Sequence, residues 1–404
     1  MRYIIKFIRK CLSFIKHVCL LPLWFFVGKR KRIRNLWIFS SWSGERYSDN
    51  SRVFYEWVRK NHPEIECVWI LRKKELINRL NEMNVKAFHV KSKEGKKLLL
   101  SASKVFTVRD DEFSYFRLNG AKIYQLWHGM PLKKIKNDYL DGITKLSRSG
   151  IIYENIMKIV TPWAVNTYKN RFTCTNAAFF TKFLSSSFNL TEKRILNCGT
   201  PRCDALFYNN SEKLLKSLSE LHPGCKIILY MPTFRTSQWD GKYFNPFDEK
   251  YGFDFTELEK ILKEKNYIFL YKPHFYDAKL LDSKKMSERF VTITDDDIDE
   301  LYNFCGQIDI LLTDYSSIYF DFIVTRKPVI LMPFDYEEYL RTSRNHYFDY
   351  FSNMDGVMAK NWNETIEILR DEKFRPVSED KIKQFAEFVD GNCCQKLFEE
   401  IEND

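Results

Sequence analysis

Length, composition and charge limit what this chain can be. It has 404 residues, 45% of them hydrophobic, which is enough for about two domains with buried cores. The formal net charge is +11, but ten Lys or Arg residues and no acidic residue lie within residues 1–34. The rest of the chain is almost neutral, which argues against a long basic groove and predicts no nucleic-acid partner. The ten cysteines lack CxxC spacing, so neither a zinc site nor a disulfide framework is indicated, and a reduced cytosolic setting is expected.

The basic leader, residues 1–34, is an amphipathic segment that we expect to associate with a membrane. Its apolar run, 18–27, is shorter than the roughly 20 residues that span a bilayer, and Pro22 interrupts it. A helix lying in the interface fits better, with basic side chains at anionic headgroups and Trp24 at the lipid boundary. A cleaved signal peptide is one alternative, and a transmembrane anchor, which would have to bury Lys16, is another.

From Asn35 onward, short apolar runs alternate with amphipathic stretches, which predicts an α/β fold with parallel sheets. In the first half of the chain the predicted strands are 36–42, 67–71, 87–90, 104–108 and 122–126. The predicted helices there are 51–60, 74–83 and 93–102, followed by helix and strand elements at 156–161 and 164–171 and a helix near 176–186. A Gly- and Pro-containing turn and a polar stretch follow, so we place a domain boundary at 205/206.

A second α/β series fills residues 206–404. Its predicted strands are 227–230, 267–271, 290–293, 308–312 and 329–332. Its predicted helices are 297–304, a helix that starts at Ser316 or Ser317 and runs to about Thr325, and an amphipathic tail over 379–404. The strand, polar turn, helix and strand over 308–332 form a βαβ unit of the kind found in doubly wound sheets.

Polar side chains follow the strands of both series. His128 comes just after the strand 122–126 and precedes Gly129, where open α/β sheets place their ligands, and its imidazole could accept a proton. In the second series the side chains that follow strands are Thr233, Arg235, Lys272, His274, Thr313, Asp314, Ser316 and Ser317. If those strands are parallel neighbours, these side chains share one edge of the sheet. A helix start at two serines would favour an anion such as phosphate.

Six motifs occur in a fixed order between about residues 120 and 345: WHGMPLKK, CGTPRCD, YMPTFR, YKPH, LLTDYSSIYFDF and KPVILMPFDYEEY. Together they resemble the CDP-glycerol:poly(glycerophosphate) glycerophosphotransferase family. The resemblance implies a GT-B fold, with two Rossmann-like, doubly wound domains and a crevice between them. Residues 35–205 would bind the acceptor and residues 206–404 the CDP-polyol. It also implies a peripheral enzyme on the cytoplasmic side of the cell membrane, in keeping with the basic leader at an anionic surface.

The resemblance also implies roles for individual residues. His128 falls on the proposed catalytic base, His274 on the phosphate-contacting histidine, and Ser316 and Ser317 on the helix start beside the pyrophosphate. We expect Thr233 and Arg235 to help hold the diphosphate. The further candidates for substrate binding are Lys272, Thr313, Asp314, Arg202 and Asp204. No metal and no cofactor is predicted.

The expected reaction is transfer of glycerol phosphate from CDP-glycerol to a hydroxyl of a lipid-linked saccharide or polyol-phosphate acceptor. CMP would be released, in teichoic acid or capsular polysaccharide biosynthesis. Three alternatives are a CDP-ribitol-dependent transferase, a GT-B glycosyltransferase that uses a nucleotide sugar, and a non-catalytic membrane-bound scaffold. The motifs depart from the family pattern after DYEEY, where Arg344-Asn345 stands in place of Arg-Gly. The acceptor and the number of transfers per chain stay open.

Overall fold

The computed structural model describes residues 2–140, 148–164, 170–208, 210, 212–233, 235, 245–273 and 287–403. The chain forms two compact units. The first contains Met1–His128, Leu140–Cys174 and Leu184–Leu196, and the second contains Gly129–Tyr139, Thr175–Phe183 and Asn197–Asp404. Assignment of residues 35–205 to the acceptor and 206–404 to the donor stays a prediction.

The first half of the chain alternates strands and helices, as predicted. The strands are β1 (Ile33–Phe39), β2 (Glu66–Leu71), β3 (Ala87–His89), β4 (Ala102–Thr107), β5 (Lys122–Gln125), β6 (Arg171–Thr175) and β7 (Ile195–Asn197). The helices are α1 (Arg2–Gly28), α2 (Asp49–Asn61), α3 (Lys74–Glu82), α4 (Lys93–Ser101), α5 (Lys136–Leu140), α6 (Arg148–Val160) and α7 (Thr181–Phe188). The strand order is β3-β2-β1-β4-β5-β6-β7, and the pairings from β3 to β6 are parallel. The predicted parallel α/β sheet is confirmed.

One part of the first series was predicted less well. The element expected at 156–161 lies in the longer helix α6. The element expected at 164–171 falls mostly on residues 165–169, outside the described residues, and the strand there is β6, which begins only at Arg171. β6 is short and alternates polar and apolar residues, RFTCT, so it lacks the continuous apolar run that marked the other strands.

Helix α1 spans nearly the whole basic leader as one helix of 27 residues, with Pro22 inside it. Its part Cys11–Gly28 has a mean hydropathy of 1.7 over 18 residues, so it is long and apolar enough to cross a membrane. The helix is therefore longer than the apolar run that the sequence marked. Signal sequences share this length and composition, so neither feature alone distinguishes a spanning helix from a cleaved one.

The segment that follows α1 is fixed to the rest of the first unit. The Arg32 guanidinium donates hydrogen bonds to the carbonyl oxygens of Leu99 (2.9 Å), Ala102 (3.3 Å) and Arg117 (3.0 Å), and also to that of Asn119. These carbonyls lie near the end of α4 and on the turn that precedes β5. Arg32, a basic residue of the leader, therefore has a structural role and does not contribute to a free positive surface.

The second series is also α/β. Its strands are β8 (Lys226–Met231), β9 (Tyr267–Tyr271), β10 (Phe290–Thr292), β11 (Ile310–Thr313), β12 (Val329–Leu331) and β13 (Val357–Met358). Its first helices are α8 (Arg202–Ala205), α9 (Lys213–Leu221), α10 (Phe255–Glu264), α11 (Leu301–Gln307) and α12 (Ile318–Phe322). Helices α13 (Tyr336–Thr342), α14 (Tyr350–Asn353), α15 (Trp362–Arg370), α16 (Glu379–Phe385) and α17 (Cys393–Asn403) complete it. The helical tail is as predicted.

The second sheet has the order β10-β9-β8-β11-β12-β13, with all pairings parallel. Strands β9, β8 and β11 are therefore consecutive neighbours. The segments that follow them carry the polar motif residues, so the condition under which the sequence groups those residues at one edge of the sheet, that these strands are parallel neighbours, is met. A core of aromatic and aliphatic side chains supports this sheet, and its buried Trp362 donates from Nε1 to the carbonyl oxygen of Pro246 (2.6 Å).

One helix prediction in this series needs correction, and another is met with a last turn of a different kind. The helix expected at 297–304 begins at Leu301, because the Glu300 carboxylate accepts the N–H groups of Tyr302 and Asn303 and so caps it there. The helix expected to reach about Thr325 does end there, but only its first five residues are α-helical, as α12, and a single 3₁₀ turn completes it. That turn ends at Arg326, whose φ of +56° closes it before Pro328 can break it.

Candidate active site

His128 follows β5 and is half-buried. Its Nδ1 lies 3.1 Å from the carbonyl oxygen of Val108, at the end of β4. A carbonyl oxygen only accepts, so Nδ1 carries the proton and donates it, and Nε2 is the nitrogen with a lone pair for a substrate proton. The rings of Trp127 and Trp42 have centroids 3.9 Å and 5.2 Å from that of the imidazole. The ring is thus held in the tautomer that a general base needs.

The backbone before His128 has an unusual conformation. Trp127 has a φ of +59°, which is rare for a bulky side chain. The buried Asn50, in the first turn of α2, donates from Nδ2 to the carbonyl oxygens of Trp127 (2.9 Å) and Leu126 (3.2 Å). These bonds hold the turn that presents the histidine. Asn50 escaped the sequence analysis, because an Asn at a helix start usually reads as a capping residue.

Glu112 secures the loop that holds the imidazole. Its side chain is buried, and Oε1 accepts the N–H groups of Arg109 (3.1 Å) and Val108 (3.3 Å). Burial raises the pKa of this carboxyl to about 7, although those backbone donors act in the opposite direction. The loop whose Val108 carbonyl orients His128 is therefore fixed by a group that titrates near neutral pH.

Gly129, the next motif residue, belongs to the second unit and has a φ of +139°. A Cβ built on it would lie 2.4 Å from Ser317 Oγ, 2.8 Å from Ser317 Cβ and 3.2 Å from Arg202 Nη2. Only glycine combines that φ with so close an approach. The motif glycine therefore lets the chain after His128 pass directly against the serine pair.

Asp314 organises the polar strand ends of the second sheet. Its carboxylate accepts the N–H groups of Thr233 (2.8 Å) and Tyr315 (2.6 Å), and it pairs with Arg235 Nη2 at 2.7 Å. Arg235 also donates to Asp335, from Nε at 2.7 Å and from Nη2 at 2.9 Å. The structure brings Thr233, Arg235 and Asp314 together as expected. Arg235 is 3% exposed and already pairs with two carboxylates.

The next strand end is partly described. Lys272 is buried and its Nζ lies 2.6 Å from Asp295 Oδ1, so this aspartate is its ion-pair partner. Thr313 Oγ1 donates to the carbonyl oxygen of Met231 (2.8 Å), which links two neighbouring strands. His274 lies outside the described residues. Within the described part of the chain, no three His, Cys, Asp or Glu side chains are grouped as metal ligands.

Ser316 and Ser317 are half-buried and stand at the start of α12. The helix starts at Ser317 as predicted, but the Ser317 hydroxyl makes no capping hydrogen bond, and Asp314 accepts the N–H of Tyr315 just before it. A helix of five residues also has a weaker dipole than the longer helix expected here. The two serine hydroxyl groups therefore support the predicted anion site more strongly than the helix dipole does.

Arg202 and Asp204 are both buried in the second unit. Arg202 Nη2 pairs with Asp321, in α12, at 2.6 Å. The Asp204 carboxylate accepts the N–H groups of Cys393 and Cys394, both at 2.8 Å, and so attaches the start of α17. Both side chains thus make structural contacts. Arg202 contacts the helix that begins at the serine pair, and Asp204 contacts the last helix.

Comparison with known proteins shows which family and which solved structures this chain resembles. A family model described as CDP-Glycerol:Poly(glycerophosphate) glycerophosphotransferase matches residues 24–403. The teichoic acid poly(glycerol phosphate) polymerase of Bacillus subtilis (strain 168) is 28% identical over 85% of this chain, which spans 44% of that protein. The polymerase of the same description from Bacillus spizizenii is 27% identical over 93% of this chain and 94% of its own length.

A solved structure of the wall teichoic acid polymerase TagF matches 99% of this chain and 98% of its own, with a TM-score of 0.70 and 22% identity. Likeness at this identity is evidence of fold, and with the two parallel sheets it confirms the predicted GT-B class. The family match, by contrast, covers nearly the whole chain. The protein therefore belongs to the CDP-glycerol:poly(glycerophosphate) glycerophosphotransferase family, as its ordered motifs predict, and is a glycerophosphotransferase.

Proposed function

We propose that the protein transfers glycerol phosphate from CDP-glycerol to a hydroxyl group of a lipid-linked saccharide or polyol-phosphate acceptor in teichoic acid synthesis, releasing CMP. The single observation that carries the proposal is the Nδ1 hydrogen bond of His128 to the Val108 carbonyl. It places the proton of the neutral ring on Nδ1 and so makes Nε2 the nitrogen that can accept a proton. A group in that state accepts a proton from an attacking hydroxyl near neutral pH.

In the proposed reaction, His128 Nε2 removes the proton of the acceptor hydroxyl as its oxygen attacks the phosphorus that carries glycerol. The bond from that phosphorus to the bridging oxygen of the diphosphate breaks, and CMP leaves with the electron pair. Negative charge grows on the bridging and phosphoryl oxygens, so positioned donors contribute most of the rate enhancement. The imidazolium formed on His128 is stabilised by the same Val108 carbonyl.

On the donor side, we assign the diphosphate to hydroxyl groups of the second unit. Ser316 and Ser317 are half-buried, and the buried Thr233 Oγ1 has no hydrogen-bond partner among the described residues. Arg235 acts indirectly in this scheme, because its pairing with Asp314 fixes the turn that carries the serines. His274 remains the predicted phosphate contact.

We further propose that α1 brings the enzyme to the membrane, with its basic residues at anionic headgroups. The positive charge and the apolar length of the leader both support this placement. The Arg32 contacts fix the segment after the helix to the rest of the first unit. Co-flotation of the full chain with phosphatidylglycerol vesicles, compared with phosphatidylcholine vesicles, tests it. Equal recovery with both lipids would exclude the electrostatic contribution.

The activity is tested with the full chain in lipid vesicles and a lipid-linked saccharide acceptor. Separate reactions receive CDP-glycerol, CDP-ribitol or a UDP-sugar, and nucleotide release and product mass are followed. His128→Ala is compared with His62→Ala, a histidine of the same unit that pairs with Glu64 (3.2 Å) on the surface. We expect CMP release with a glycerol phosphate mass gain, at least about a hundredfold slower in His128→Ala only.

Other outcomes identify the alternatives. A ribitol phosphate mass gain would change the donor but keep the mechanism. Release of UDP with a hexose gain would mean a glycosyltransferase on the same fold. Unchanged CMP release in His128→Ala would remove the histidine from its role as base.

A further inference from the structure

Residues 129–135, called the strap here, cross the second unit beside the serine pair. Gly129 packs against Ser317, and further along, the Lys134 N–H donates to the Asn345 carbonyl (2.8 Å). The Tyr347 N–H donates in turn to the carbonyl of Leu132 (2.8 Å). The strap is therefore held by backbone bonds to the segment after α13, and Lys133 pairs with His346 at that bridge. The backbone of Lys133 is therefore held in a fixed position.

Lys133 stands among charges that do not cancel. The charged groups that act on it are Asp314, after β11, Arg235, after β8, and Arg344, after α13. Arg235 already pairs with Asp314 and with Asp335. When Lys133 is protonated, three cations therefore face two carboxylates, which leaves one surplus positive charge; when it is neutral, the charges balance. The surplus rests on Lys133 and Arg344, and both remain half-buried, so neither is sealed from a ligand.

Burial lowers the pKa of Lys133 to about 7, with Asp314 opposing the shift and Arg344 and Arg235 adding to it. The neighbouring His346 adds no further positive charge. Burial and Lys133 lower its pKa to about 4, against the opposing Asp349, so it is neutral at physiological pH. Neither of its buried ring nitrogens has a hydrogen-bond partner among the residues described.

The tyrosine side chains around His346 carry no charge that could pair with Lys133. Four tyrosine rings lie around it with centroids 5.8 to 6.2 Å away, namely Tyr315, Tyr336, Tyr339 and Tyr350. Their own pKa values are raised by burial, so they are neutral as well. When Lys133 is protonated, the cluster thus holds a cation without a matching anion, beside the two ring nitrogens of His346, which have no partner among the described residues. A bound anion would supply what both lack.

We propose that Lys133 and Arg344 bind a phosphate group of a substrate, at a subsite alongside the hydroxyls assigned to the donor. This inference rests on the proposed function, because the substrates named there carry the phosphates. Ammonium and guanidinium groups are the usual phosphate ligands in proteins. Lys133, the first lysine of WHGMPLKK, thereby gains a role of its own, five residues after the proposed base.

Phosphate binding should be coupled to proton uptake. An anion beside Lys133 favours its charged form, so the bound complex holds a proton that the free protein partly lacks. At about pH 7.5 the uptake would be up to about three quarters of a proton per ligand. The affinity should fall as the pH rises above about 7, by at most about tenfold per unit, until the pKa of the complex is reached.

The test is calorimetry of the full chain with CDP-glycerol, CMP, glycerol 3-phosphate and inorganic phosphate. Each titration is run in two buffers of different ionisation enthalpy, which measures proton uptake directly. We expect Lys133→Met to weaken phosphate binding about ten- to hundredfold and to abolish the uptake. Lys133→Arg should keep the affinity within a few fold but lose the uptake, since guanidinium does not titrate. The matched control is Lys134→Met, one residue along the same strap.

The ligands separate the sources of the phosphate. Weakening for CDP-glycerol but not for CMP assigns the subsite to the phosphate being transferred. A Lys133→Met effect confined to the KM of a phosphate-containing acceptor assigns it to the acceptor. Unchanged affinities, KM values and proton uptake in Lys133→Met overturn the inference, as does a wild-type chain that binds no phosphate compound. If phosphate binding depends on Lys133 but no CDP-polyol is consumed, only the proposed function fails.

Discussion

Replacement of Gly129 by alanine is the sharpest test of how the histidine motif meets the serine pair. The new methyl group would lie 2.4 Å from Ser317 Oγ and 2.8 Å from Ser317 Cβ. Rotation of the serine hydroxyl relieves the first contact but not the second, because Cβ does not move with χ1. The two carbons reach an ordinary contact of about 3.5 Å only if the backbone moves by roughly 0.7 Å.

Two effects of different size follow. The φ of +139° costs an alanine about 1–3 kcal/mol, which lowers the free energy of unfolding of the second unit. Because a displacement near 1 Å in a catalytic arrangement costs about a hundredfold in rate, we expect CMP release about ten- to hundredfold slower. Gly129 immediately follows the proposed base, so the displacement is transmitted to it through one peptide bond.

Gly224→Ala is the matched control. Gly224 has a φ of +71°, but no atom lies within 4 Å of a Cβ built there. It therefore has the backbone strain, about 1–2 kcal/mol, without the contact. Chemical denaturation gives the stability of both variants, and CMP release from CDP-glycerol gives their activity. If Gly129→Ala were as active as Gly224→Ala within twofold, the close approach to Ser317 would have no catalytic meaning.

Three further predictions concern charged side chains. Arg202→Met leaves Asp321 as an unpaired buried carboxylate and should lower the free energy of unfolding by about 3–5 kcal/mol; the double variant with Asp321→Asn should recover part of this loss in urea denaturation. Burial raises the pKa of Glu112 in the folded protein to about 7, so its contribution to stability is present below about pH 4.5 and lost as the pH rises towards 7. Glu112→Gln should therefore lose less stability than wild type between about pH 5 and pH 8 in thermal melts, and an identical loss would contradict the raised pKa. Arg32→Met removes the hydrogen bonds that fix the end of α1; we expect faster amide exchange at that end with unchanged vesicle binding, whereas unchanged exchange would show that other contacts hold the helix.

Much of the second sheet could be predicted from local pattern. Continuous apolar runs such as Tyr267–Tyr271 are long enough to mark buried parallel strands, and each is followed by polar motif residues. Parallel strands put their carboxyl ends on one edge, so the grouping of those residues needed only the strand order. The order itself, with β9, β8 and β11 adjacent, came from the fold.

The pairing of individual side chains was not predictable in the same way. Arg235 was expected at the diphosphate, yet its nearest charges are Asp314 and Asp335, the latter 100 residues further along the chain. Asn50 supports the turn before His128 from 77 residues away. Such contacts depend on which loops meet in space, and no periodicity in one sequence encodes that.

By itself, the sequence determined the fold class, the family and the position of each motif at a strand end, because these depend on local hydrophobic period and on the identity of nearby residues. Only the tertiary structure decided the tautomer of His128, the buried pairing of Arg235 and the surplus charge at Lys133. Hydrogen-bond direction, desolvation and charge balance are properties of a three-dimensional environment. They arise when distant segments bury polar groups together, which no single stretch of this chain does alone.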